Sequence, residues 1–110
     1  MNRDQVVIKD TVLTHGKNNL TLKARGNVLK YDLTLTPKKE AVWHADNGVL
    51  VMGFADNPKE RTCYYSYTNL ATEGQISYTH GKDVLVKMPV KGKSWFDKQY
   101  GPFENRNWDW

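Results

Sequence analysis

The stretch with the clearest capacity for chemistry is Lys93-Ser94-Trp95-Phe96-Asp97-Lys98-Gln99-Tyr100-Gly101, followed by Trp108-Asp109-Trp110. A carboxyl group set between bulky aromatics is partly stripped of water, which makes ionisation harder and favours the protonated acid. Asp97 is therefore a candidate general acid. A plainer alternative ranks first on pattern alone: Asp97 accepts backbone N–H bonds at a bend and fixes a corner of a barrel. The tyrosines form a second group. Tyr65 and Tyr67 share one face of a strand, Tyr64 and Ser66 share the other, and Tyr78 is expected to lie across from them. Phenols on a concave sheet face can orient a ligand or shuttle a proton. Ordinary cross-strand aromatic packing accounts for the same pattern and is the simpler reading.

Other reactive side chains offer less. His15, His44 and His80 are far apart and show none of the close ligand pairs that zinc sites use. No metal and no cofactor is expected. Cys63 is the only cysteine, so an internal disulfide is excluded. Preceding Tyr64-Tyr65 on a strand, it reads as a small buried apolar residue rather than a nucleophile. The sequence has neither a Gly-x-Ser-x-Gly elbow nor a Gly-rich phosphate loop before a helix.

Strands must position these groups, because apolar residues recur with period two almost throughout. In residues 28–36, Leu29, Tyr31, Leu33 and Leu35 fall on one face and Lys30, Asp32, Thr34 and Thr36 on the other. Residues 20–24 alternate in the same sense, and Arg25-Gly26-Asn27 supplies the turn between the two. Residues 5–13 read as one β-branched strand ending at the turn His15-Gly16-Lys17-Asn18, and Pro37 closes the strand before it. Asp46-Asn47-Gly48 predicts a hairpin between residues 41–45 and 49–55. Further strands are expected over 63–67, 76–80 and 84–90, with Pro89 marking an edge or bulge. Turn signals every eight to twelve residues describe an all-β chain of about seven or eight strands: an antiparallel sheet forming a barrel or sandwich, with little or no helix. The short echo of Thr14-His15-Gly16-Lys17 in Thr79-His80-Gly81-Lys82 reflects shared turn chemistry, since the flanking residues do not match.

At 110 residues the chain fits one β domain spanning 1–110. The longest apolar run, residues 49–55, is far short of the ~20 residues a helix needs to cross a bilayer. Residues 1–5 lead straight into a strand, so no secretory leader is expected and a cytoplasmic location is the default. The formal net charge is +4, but the lysines are scattered along the chain. That pattern describes solvated strand faces rather than a nucleic-acid surface, leaving a basic interaction module as a third-ranked reading.

The segment Trp-Phe-Asp-Lys-Gln-Tyr-Gly over residues 95–101 resembles the Trp-x-Asp-His-Glu/Gln-aromatic-Gly signature of the lipocalin-like carotenoid 1,2-hydratase (hydroxyneurosporene synthase) family. Trp108-Asp109-Trp110, the Leu33-to-Lys39 segment, Asp46-Asn47-Gly48 and Tyr64-Tyr65-Ser66-Tyr67-Thr68 are similar to further family segments in the same order. The resemblance implies a lipocalin-like barrel with an apolar cavity. It also implies that Asp97 protonates a carbon–carbon double bond while Trp95 and Tyr100 stabilise the cationic region. Lys98 stands where the family usually has His, which puts a fixed positive charge in place of a group that titrates near neutrality. Members of that family are typically two barrels long, so this chain is expected to be an incomplete or small version. Its open sheet edges then predict pairing with another copy as a homo-oligomer.

The leading expectation is a lipocalin-like domain that binds a small apolar or aromatic ligand without catalysis, lined by Tyr31, Trp43, Tyr65, Tyr67, Trp95 and Tyr100. The alternative is a hydratase or isomerase acting on an unsaturated hydrophobic substrate with Asp97 as acid.

Overall fold

The computed structural model describes residues 4–52, 59–81 and 84–102. Trp108-Asp109-Trp110 and residues 53–55 of the expected strand 49–55 lie outside the described residues. Every regular element among the described residues is a strand, and every pairing whose register is resolved is antiparallel, as the alternation requires. The chain forms two compact units, and strands β7 (Arg61–His80) and β8 (Val84–Tyr100) contribute to both.

The first unit comprises Met1–Lys39 and Asn69–Ser94. Strands β1 (Gln5–Ile8), β2 (Thr11–His15), β3 (Leu20–Arg25) and β4 (Leu29–Pro37) follow in spatial order and lead to the C-terminal part of β7. The expected single strand over 5–13 is instead a hairpin. Ile8 pairs with Thr11, and Lys9 takes a positive φ of 52° at the turn. A Lys-Asp turn lacks glycine, so composition gave no sign of it. The β3–β4 hairpin forms where Arg25-Gly26-Asn27 places it, with Arg25 opposite Lys30.

Leu20, Ala24, Leu35 and Leu70 are the buried apolar side chains among the described residues, all in this unit. Leu20 lies opposite Leu35, and Leu70 lies opposite Pro37. Burying each leucine stabilises the fold by about 1.5–3 kcal/mol. On the face predicted for β4, Leu35 is buried and Tyr31 and Leu33 are half-buried, whereas Leu29 is exposed beside the hairpin. β1 pairs only with β2 among the described residues, and Val6, Val7 and Ile8 are all exposed.

Residues 63–67 and 76–80 are not separate strands. β7 runs unbroken for 20 residues, because β4 supplies partners for 70–78 despite the weak strand propensity of Asn69, Ala71 and Gly74. Tyr78 consequently lies opposite Leu29, on the same strand as Tyr65 and not across from it. β8 extends past the expected 84–90 to Tyr100 and carries the Trp95–Gly101 segment up to its last residue.

The second unit comprises Glu40–Thr68 and Trp95–Trp110. β5 (Val42–Trp43) and β6 (Val49–Val51) do not form the expected hairpin with each other. Each pairs antiparallel with β7, β5 with Tyr65–Ser66 and β6 with Arg61–Cys63. From Trp43 to Val49 the chain advances six residues while β7 advances only two, from Tyr65 to Cys63. The surplus is extruded as a multi-residue bulge, with Ala45, Asn47 and Gly48 at positive φ. Bulges of this kind re-aim side chains.

Gly74 shows what the long ladder of β7 demands. Its φ is +155°, and a Cβ there would run into the carbonyl oxygen of Asp32 on β4. Gly74→Ala should therefore lower stability by about 2 kcal/mol or more, because strained backbone and steric overlap act together. Urea unfolding followed by circular dichroism measures this, and a loss below about 0.5 kcal/mol would mean that β4 and β7 do not approach as described.

Candidate functional site

The side chains of β7 divide by parity in the second unit. Thr62, Tyr64 and Ser66 point to one face, and Ser66 is fully buried. Cys63, Tyr65 and Tyr67 point to the other. On β8, Trp95, Asp97 and Gln99 join the first set, because Gln99 Nε2 donates to Thr62 Oγ1 at 2.9 Å and Ser66 donates to Asp97. Phe96 joins the second set, packing against Tyr65 and Tyr67 at centroid distances of 6.3 and 6.2 Å.

Polar atoms converge on the first face. The Ser66 hydroxyl and the Trp95 indole N–H both donate to Asp97 Oδ1, the latter at 2.8 Å. The Tyr64 hydroxyl adds a third hydrogen bond to the carboxylate. His44 arrives from the bulge, with Nε2 at 2.7 Å from Ser66 Oγ. A serine hydroxyl has one proton. With that proton given to Asp97, His44 must carry a proton on Nε2 and donate it to Ser66. The result is a directed chain, His44 N–H to Ser66 O–H to the Asp97 carboxylate. The His44 ring stacks on Tyr64 at 4.0 Å, and His44 N donates to the Tyr64 carbonyl at 3.2 Å, which fixes the imidazole from two sides.

This environment reverses the expected charge state of Asp97. Partial desolvation pushes its pKa upward, as the aromatic neighbours suggested. Hydrogen bonds from Ser66, Trp95 and Tyr64, together with the charge on His44, outweigh that push and hold the carboxyl below the ordinary range. The side chain is also exposed, which limits the desolvation. Asp97 is thus an ionised carboxylate at neutral pH, held within a strand by side-chain donors. The expected bend with backbone N–H donors is not what holds it. Lys98 does not contribute: it faces the other way, with Nζ 5.4 Å from the centre of the Tyr100 ring.

The six predicted ligand-lining residues do not form one surface. Trp95 shares the face of Asp97. Trp43, Tyr65 and Tyr67 occupy the opposite face, with Trp43 5.0 Å from Tyr65 and Tyr65 edge-on to Tyr67 at 5.9 Å. Tyr100 lies on that face too, beside Cys63, whose hydrogen bond raises the Tyr100 pKa. Burial raises the Tyr65 pKa, with smaller contributions from Tyr67 and Tyr100. Tyr31 belongs to the first unit, opposite Ala24 and Ile76, in a groove with Lys23, Arg25, Asp32 and Gln75. Among the described residues no three His, Cys, Asp or Glu side chains gather as a metal site.

Sequence reasoning placed Tyr64 with Ser66 by period two but gave Ser66 and His44 no part in a site with Asp97. The signal available was the alternation Trp95-x-Asp97-x-Gln99 set against Thr62-x-Tyr64-x-Ser66. Reading it requires the pairing of β7 with β8 and the bulge that carries His44, neither of which is local.

The pH response follows from the charge state. The folded-state pKa of Asp97 lies below the unfolded value of about 3.9, so its contribution to stability is complete above that value. It is lost as pH falls through the folded-state pKa. Asp97→Asn should flatten this acid limb of the stability curve. Ser66→Ala should raise the Asp97 carboxyl toward the ordinary range in a carbon-detected NMR titration. An unmoved carboxyl would remove Ser66 from the groups that hold it.

No curated protein matches the chain. A crystal structure of a protein assigned as AttH from Nitrosomonas europaea matches with a TM-score of 0.74 and 20% sequence identity, over 87% of this chain. That likeness shows the fold, and the chain spans 28% of the length of the matched structure. The model of the AttH-like family covers residues 2–110. With a match across nearly its whole length, this protein belongs to the AttH-like family, whose members are lipocalin-type β proteins.

Proposed function

We propose that the chain is a ligand-binding β domain that takes a small apolar or aromatic molecule at the Trp95–Asp97 site without chemical conversion. One observation carries this reading: the Trp95 indole is 61% exposed, yet its N–H is tied to Asp97. A large ring held in place at the surface offers contact area at little further entropic cost. Trp43 and Tyr100 are exposed as well, at 57% and 52%, and add apolar surface on the opposite face. Titration with a panel of mono- and polycyclic aromatic compounds should quench tryptophan emission and raise the melting temperature, and Trp95→Ala should remove most of both effects. A panel that moves neither signal would overturn the reading.

The chain from His44 through Ser66 to Asp97 favours a second reading, hydration or isomerisation of an unsaturated hydrophobic substrate. A protonated Asp97 would give its proton to one alkene carbon, and water would form a C–O bond at the other and return a proton to Asp97. The net change is addition of one water. In isomerisation a neighbouring C–H would lose its proton instead. Since the resting carboxyl is ionised, a proton must first be delivered to it, and His44 could supply that one through Ser66; afterwards the proton returned by water regenerates the acid and the cycle balances. In this reading Asp97→Asn should lower turnover by at least ~10²-fold in a product assay on such a substrate. Full turnover by the variant would exclude Asp97 as the acid.

A further inference from the structure

We propose that the ligand of the Trp95–Asp97 site carries a positive charge: an ammonium group on an otherwise apolar or aromatic small molecule, seated against the Asp97 carboxylate and the Trp95 ring. This inference rests on the ligand-binding reading and adds the chemistry of the ligand.

The charge inventory around Asp97 supports it. Its hydrogen-bond partners are the Ser66 hydroxyl, the Trp95 N–H and the Tyr64 hydroxyl, all of them neutral donors. The chain has 16 Lys and Arg residues and a formal net charge of +4. Lys23 pairs with Asp32, in the first unit. Lys98 adjoins Asp97 in sequence but is turned to the opposite face, toward Tyr100. His44 hydrogen-bonds Ser66 and not Asp97 itself, and acts on the carboxylate across Ser66 by electrostatic attraction. Among the described residues, Asp97 is therefore fixed by three neutral donors, with His44 behind Ser66 and no Lys or Arg side chain paired with it.

The walls match the same ligand. The exposed Trp95 ring is tethered to the oxygen that bears the charge, and the stacked Tyr64 and His44 rings stand beside it. A cation next to an aromatic face is attracted by the negative face of the ring, and indole is the best such face. A nearby carboxylate adds Coulomb attraction that a neutral ligand cannot collect. An anionic ligand would meet repulsion from the same group.

Phenethylamine, phenethyl alcohol and phenylacetate share one ring and differ in charge, so they separate these contributions. Calorimetry, with the indole N–H resonance of Trp95 followed by NMR, should give the amine about tenfold tighter binding than the alcohol. Phenylacetate should bind weakest, and added salt should narrow the gap. In Asp97→Asn, which retains an oxygen for Ser66 and Trp95, amine and alcohol should bind alike while circular dichroism is unchanged. Trp95→Phe should keep the preference for the amine and weaken binding severalfold. Equal binding of amine and alcohol by the unmodified chain would overturn the cation inference and leave the ligand-binding reading standing. Binding of none of the three, together with a silent aromatic panel, would overturn both.

Discussion

The backbone ladder of β7 fixes which side chains meet. In the first unit its residues 70–78 pair with β4, which carries Leu35 and positions it opposite Leu20. In the second unit, residues 61–66 pair with β6 and β5, and β8 pairs with β7 as well. Side chains on a strand alternate strictly, so a slip of one residue in any of these pairings would exchange its two faces. Ser66 would leave Asp97, and Tyr65 would take its place. The polar cluster exists because register is held along the length of this strand.

Within the cluster, two opposing effects act on one carboxyl group. Aromatic neighbours remove water and favour the acid, while hydrogen-bond donors and His44 favour the carboxylate. The donors prevail because they are directed at the charge, whereas desolvation at an exposed side chain is incomplete. The same donors give Asp97 a fixed orientation and hold the indole of Trp95. They also create a tension for the two functional readings. A stable carboxylate suits binding of a cation or a hydrogen-bond donor, but acid catalysis needs the carboxyl protonated first.

The bulge between β5 and β6 links local sequence to this geometry. Asn47-Gly48 supplies positive φ values that make a tight turn inexpensive, as its composition predicts. The turn closes on itself through the Asp46–Val49 bridge, but it joins two segments that pair in line along β7 and not with each other. Its backbone is tied down at Tyr64, whose N–H donates to the Gly48 carbonyl at 2.7 Å. That anchoring brings His44 to Ser66 and stacks it on Tyr64. A turn legible as a loop thereby becomes the support for one member of the site.

By itself the sequence determined the all-β class, the apolar face of β4, the β3–β4 hairpin and the sorting of Tyr64 and Ser66 from Tyr65 and Tyr67. These follow from period two and from turn residues with special φ, which are local properties. It also marked Trp95 and Asp97 as the place to look for chemistry. Only the tertiary structure decided that 61–80 is one strand, that Trp95 parts from Trp43, Tyr65 and Tyr67, and that His44 and Ser66 join Asp97. The charge state of Asp97 belongs to this second group. Aromatic neighbours in sequence suggested a protonated acid, but Ser66 and Tyr64 come from a strand some thirty residues away. Hydrogen-bond donors brought in by strand pairing leave no trace in local composition, and they set the ionisation of the group they touch.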